Sequence, residues 1–120
     1  MVKYSLSLLL ACAASAFAAD PVQSEGELSG TYAIGGKTLV DPPPGEDPGS
    51  RYRVFLTGAA AKDLYDALRV KAEDDECLGD GSQSKRSGGI SCTKLADDEG
   101  YECSFAVGVD GQSVEPATSC

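Results

Sequence analysis

The sequence predicts an α+β fold: a small single domain in which one amphipathic helix packs on a mostly antiparallel sheet, held by two disulfides. Three observations carry this. Ala61, Leu64, Tyr65 and Leu68 recur at helical spacing. Residues 51–56 and 101–109 alternate with a period of two, and a shorter alternating run precedes the second of them. Four of the five cysteines, Cys77, Cys92, Cys103 and Cys120, fall in the last part of the chain, as in small extracytoplasmic domains whose cores are thin.

Residues 1–19 read as a secretory signal peptide. Lys3 precedes an apolar run from Tyr4 to Ala14, and Ala16-Phe17-Ala18 is a small-x-small cleavage signal. The run is shorter than the roughly 20 residues a membrane span needs, so no transmembrane segment is expected. Leu9-Leu10-Ala11-Cys12 resembles a lipobox, which makes a lipid anchor at Cys12 the lesser alternative. The residues after Cys12 stay apolar instead of forming a polar tether, so Cys12 is read as part of the signal. Loss of residues 1–19 removes Cys12 and Lys3 and leaves an even set of four cysteines. In a secreted or periplasmic protein these are expected as two disulfides. Three pairings are possible, and nearest-neighbour pairing, Cys77–Cys92 and Cys103–Cys120, is the expectation.

Residues 20–50 are expected as an N-terminal hairpin segment and a Pro-rich loop. Thr31–Ile34 and Lys37–Val40 are β-prone runs flanking Gly35-Gly36, a hairpin signal. Residues 41–50 hold four prolines and two glycines and can form neither helix nor central strand. Residues 51–120 are expected as the disulfide-stapled core. Tyr52, Val54 and Leu56 share one strand face, with Arg51, Arg53 and Phe55 on the other. Thr57 is a candidate N-cap for a helix running from Ala59 to about Lys71. The Gly- and Ser-rich stretch 79–89 reads as a loop. Residues 90–95 and 101–109 read as a hairpin whose Cys92 and Cys103 point to the core side. Leu, Ile, Val and Phe make up less than a fifth of residues 20–120, so apolar burial alone is a weak source of stability. A bridge closing roughly 15 residues adds about 3 kcal/mol.

Composition excludes several function classes. The chain has 120 residues, no histidine, and a formal net charge of −9. No Ser-His or Cys-His nucleophile system can form. The acidity argues against nucleic acid, whose phosphates need clustered Lys and Arg. No G-x-S-x-G, Walker or G-x-G-x-x-G motif is present, so no enzyme activity and no cofactor are expected. The cysteines lack a C-x-x-C pair, which disfavours zinc. The EF-hand pattern is also absent around Asp74, Asp75, Glu76 and Asp80.

Two candidate partner-binding features remain. The first is acidic: Glu73, Asp74, Asp75 and Glu76 follow the helix, and Asp97, Asp98 and Glu99 sit at the expected hairpin tip. Carboxylates at a helix C-terminus oppose its dipole, so local stability does not account for the first run. The second is Lys85-Arg86, which a Cys77–Cys92 bridge would present on a stapled loop as bait for a trypsin-like protease. Tyr32 and Tyr52 are candidate aromatic anchors, whereas Tyr65 and Tyr101 fall on core faces. The expected function is therefore a secreted or periplasmic non-catalytic protein-binding or inhibitor module, with a cationic protein as the favoured partner. The alternative is an envelope-associated structural protein whose acidic surface keeps it soluble.

Overall fold

The alternation of Tyr52, Val54 and Leu56 builds the strand on which everything else is hung. In the computed structural model, which describes residues 25–120, this is β2 (Arg51–Thr57). The expected signal peptide, its cleavage site and Cys12 lie outside the described residues. β2 is flanked by β1 (Ser29–Gly35) and β6 (Tyr101–Gly108). Beyond β6 follow β5 (Ile90–Lys94), β4 (Gln83–Ser87) and the two-residue β3 (Glu73–Asp74), and β7 (Ser113–Glu115) also pairs with β6. Every pairing is antiparallel. One helix, α1 (Gly58–Ala67), leaves the end of β2 and lies across the sheet. The architecture is the expected α+β one.

The register explains the core. Leu56, Cys103 and Cys92 are directly opposite one another on β2, β6 and β5, and all three are buried. Ala61 and Tyr65 of α1 complete the cluster. Ala61 is fully buried, with its carbonyl oxygen 3.2 Å from Cys103 Sγ. A residue without side-chain bulk at position 61 lets the helix backbone settle on the sulfur. Tyr65 meets Tyr101 edge-on at 5.3 Å between centroids, a favoured aromatic geometry.

The disulfides correct the expected pairing. Cys92 joins Cys103, with Cα atoms 4.0 Å apart, and Cys77 joins Cys120, with Cα atoms 5.8 Å apart. The reason is the register: once β5 pairs with β6, Cys92 and Cys103 already face each other. Cys77 lies in the turn after β3, where the returning C-terminal segment reaches it.

Other elements also differ from expectation. The Gly35-Gly36 hairpin does not form; β1 pairs instead with all seven residues of β2. The longer ladder satisfies more backbone groups than a four-residue hairpin would. Arg53 donates to Gly36 O at 2.8 Å, and Glu46 accepts from Thr38 N and Oγ1 at 2.9 Å, so the connection is anchored as a loop. Residues 79–89, expected as loop, contain β4. Its two-residue turn is Gly88-Gly89, both left-handed at φ 58° and 86°, which is the glycine-pair hairpin in a different place. The helix stops at Ala67, short of Lys71: Leu68 turns to extended backbone, and Lys85 Nζ donates to Tyr65 O and Leu68 O at 3.1 and 3.2 Å. Thr57 occupies the N-cap position without a side-chain cap bond. Arg51 and Arg53, on the strand face opposite Tyr52, Val54 and Leu56, are also buried. Arg51 is covered by an ion pair to Asp110 at 2.8 Å and another to Glu115, which fasten the segment after β6 to β2.

Two outcomes follow from this packing. Loop length alone makes the outer Cys77–Cys120 bridge worth about 1 kcal/mol more than the inner one. The inner bridge also fills the core, so Cys92→Ala/Cys103→Ala should lower Tm more than Cys77→Ala/Cys120→Ala; thermal melts in the reverse order would show that loop closure dominates. At Gly30 a Cβ would lie 2.0 Å from Phe55 O, so Gly30→Ala should detach β1, seen as faster amide exchange over residues 29–35 with β5 unchanged.

Candidate functional site

α1 covers only part of its side of the sheet. Residues directly opposite one another share a face. On the helix side, the row beyond the helix is Ile34, Tyr52, Val107 and Val114, on β1, β2, β6 and β7. Tyr32 sits one row nearer the helix, opposite Val54. Tyr32 is 64% exposed, Ile34 62% and Val114 50%. Tyr32 and Tyr52 stack at 5.2 Å with planes 8° apart. The pair forms a rigid, flat aromatic step beside a shallow depression lined by Leu28, Tyr32, Tyr52 and Val54. Contiguous exposed apolar surface of this kind on a small domain marks contact surfaces.

The register also gathers charges that are far apart in sequence. Asp74, Gln83, Lys94 and Tyr101 form one row across β3, β4, β5 and β6. The next row outward holds Asp75 and Ser82, paired through Asp75 N–H to Ser82 O at 2.9 Å, and Leu95 and Gly100, paired likewise at 2.8 Å. The two acidic runs therefore occupy the same end of the sheet. Glu76, Asp97, Asp98 and Glu99 are exposed there, and Asp97 and Asp98 both take left-handed backbone at φ 57° and 56°. Among the described residues, no three acidic or cysteine side chains converge on a metal position.

Not every expected residue is free. Asp75 is buried. It accepts from Ser84 Oγ at 2.5 Å and from Leu78 N–H at 3.0 Å, and Arg86 lies 3.6 Å away. Ser84 Oγ in turn lies 2.7 Å from Thr93 Oγ1. Donation from Ser84, then from Leu78, and the nearby Arg86 hold the Asp75 carboxyl below its ordinary range despite burial. Asp75 thus closes the turn between β3 and β4. Glu73 and Asp74 are exposed on β3, and Asp74 accepts from Gln83. Lys85 reaches under the helix, capping its last carbonyls and lying 4.4 Å from the Tyr65 ring centre. No Cys77–Cys92 bridge closes the base of the expected 79–89 loop, so the stapled bait geometry is not formed. Arg86 remains exposed on β4.

Tyr32 and Tyr52, the candidate aromatic anchors, stack on the open part of the sheet face, and Tyr65 and Tyr101 pack in or against the core as expected. Ile34, Val107 and Val114 were missed as surface residues. Alternation places Val107 on the core face, and nothing local says that a ten-residue helix stops short of it. No protein-family model, curated protein or solved structure matches this chain.

The Asp75 network makes stability depend on acid. Its folded-state pKa is lowered, so its contribution is complete above the unfolded value of about 3.9 and disappears as pH falls through the folded one. Unfolding monitored between pH 5 and pH 2 should therefore steepen below about pH 4. Asp75→Asn should flatten that loss and cost about 1–3 kcal/mol at neutral pH; an unchanged acid profile would remove Asp75 as its source.

Proposed function

We propose that this protein is a secreted or periplasmic, non-catalytic binding module of inhibitor type, acting on a protein partner. The observation that carries the reading is exposed Tyr32, stacked on half-buried Tyr52, with Ile34, Val107 and Val114 beside it. Tyrosine anchors contribute large contact area at low entropy cost and dominate binding energy where they seat in a pocket. The acidic end supplies a second element: a field that steers a cationic partner before the apolar contact closes. Two disulfides are compatible with an oxidising, extracytoplasmic setting. Among the described residues no helix is long and apolar enough to cross a membrane.

The second reading is an envelope-associated structural protein whose acid serves hydration. The exposure of Glu76 and Asp97–Glu99 favours it, since free carboxylates keep a small domain soluble without any partner.

The two readings separate in a pull-down from extracytoplasmic extract using wild type, Tyr32→Ser and Ile34→Ser. Both positions are exposed, so the fold should persist. The binding reading expects a specific partner whose affinity drops at least about tenfold in each variant. It also expects capture to weaken as salt rises, most strongly through the association rate. Equal capture by all three proteins would reject the apolar face as the site.

A further inference from the structure

We propose that two copies of this chain pair antiparallel through the free edge of β1, forming a two-fold dimer with one continuous sheet. β1 has a single neighbour, β2, among the described residues. Its sequence, Ser-Gly-Thr-Tyr-Ala-Ile-Gly, has neither charge nor proline over seven residues, and six of the seven are exposed. Its ladder with β2 runs without a bulge. Edge strands normally carry a lysine, a proline or a bulge to prevent pairing with another chain. At β1 all three are missing, and its outward backbone groups are left to water.

Charge placement selects a second copy and a register. Glu27 lies two residues before β1 and Lys37 two residues after it, and both are exposed. Antiparallel pairing centred on Tyr32 sets Glu27 of each copy opposite Lys37 of the other. The same register sets Tyr32 opposite Tyr32 and Gly30 opposite Ile34. Side-chain alternation is preserved, so Tyr32 and Ile34 of both copies stay on the helix-bearing side. Two Tyr32–Tyr52 stacks then meet across the axis through Tyr32, with directly opposed residues about 5 Å apart.

The net charge does not oppose this arrangement strongly. The acidic ends point in opposite directions in an antiparallel pair. β3, which carries Glu73 and Asp74, lies at the far edge of the sheet, five strand spacings or roughly 24 Å from β1. That exceeds the screening length of about 8 Å at physiological salt. The inference stands apart from the partner-binding reading, because it rests on the edge of β1 and not on what its face contacts.

Sedimentation equilibrium of the disulfide-bonded protein from micromolar to millimolar concentration tests it, alongside amide exchange over residues 29–35. A monomer–dimer equilibrium with added protection on β1 is expected. Glu27→Lys and Lys37→Glu should each weaken the dimer by about two- to five-fold per ion pair, counted twice by symmetry. The double variant should restore it. Tyr32→Lys, which opposes two like charges at the axis, should give monomer with unchanged far-ultraviolet circular dichroism. Three results would overturn the proposal: monomer at every concentration, open-ended oligomers, or a dimer indifferent to both Tyr32→Lys and the charge exchange.

Discussion

The Cys92–Cys103 link joins directly opposed positions on β5 and β6, and α1 rests on it at Ala61. Leu56 lies beside it on β2, and Tyr65 and Tyr101 close over one side. In a larger domain this space would be filled by branched aliphatic side chains. Here the fully buried residues are small, and sulfur supplies the missing volume. The covalent link restricts the unfolded chain and at the same time provides packing contact for the helix. The position of α1, the choice of core face and the reach of Lys85 to the helix end all follow from that point. The Cys77–Cys120 bridge acts differently, returning the C-terminal segment to the turn after β3.

The two faces of the sheet solve different problems. The helix side is apolar but only partly covered, so the row from Ile34 to Val114 is left open. The other side is polar and in part buried. Ser84, Thr93 and Asp75 form a hydrogen-bonded chain there, and Arg51 is neutralised by Asp110 and Glu115. Arg51 holds the Asp110 carboxyl below its usual range, a consequence of the charge-assisted contact. Along the strands, Glu76 and Asp97–Glu99 are exposed at one end, and Asp110 is exposed at the other, where it pairs with Arg51. An uncharged edge at β1 and an open aromatic face beside it give the domain two adjacent surfaces suited to association.

Much of this was legible in the sequence, and the failures have physical causes. The helix, β2 and the β5–β6 hairpin were readable because alternation and the helical stripe are local signals. β4 was obscured because Gln83–Ser87 carries no apolar residue; it is held by pairing on both sides and by the hydrogen bonds of buried Ser84. The glycine-pair rule picked Gly35-Gly36, although Gly88-Gly89 makes the tight turn. The two pairs look alike locally, and only the longer β1–β2 ladder decides between them. Disulfide pairing was missed although its signal was present: Cys92 and Cys103 are the closest cysteine pair in sequence and share the core side of one hairpin, and the β5–β6 register sets them directly opposite. In the candidate site, Tyr32 and Tyr52 were readable from residue type. The union of residues 73–76 with 97–99 at one end of the sheet required the strand order.

If the inner disulfide organises the fold, stability should be highest where it is anchored. Amide hydrogen exchange of the oxidised protein, followed by mass spectrometry through a graded series of reductant, tests this directly. The account predicts that the slowest amides lie in β2, β5 and β6 around Leu56, Cys92 and Cys103, and that they lose protection together when Cys92–Cys103 opens. Slowest exchange in β3 or the C-terminal segment, or protection of β5 and β6 that survives opening of that bridge, would contradict it.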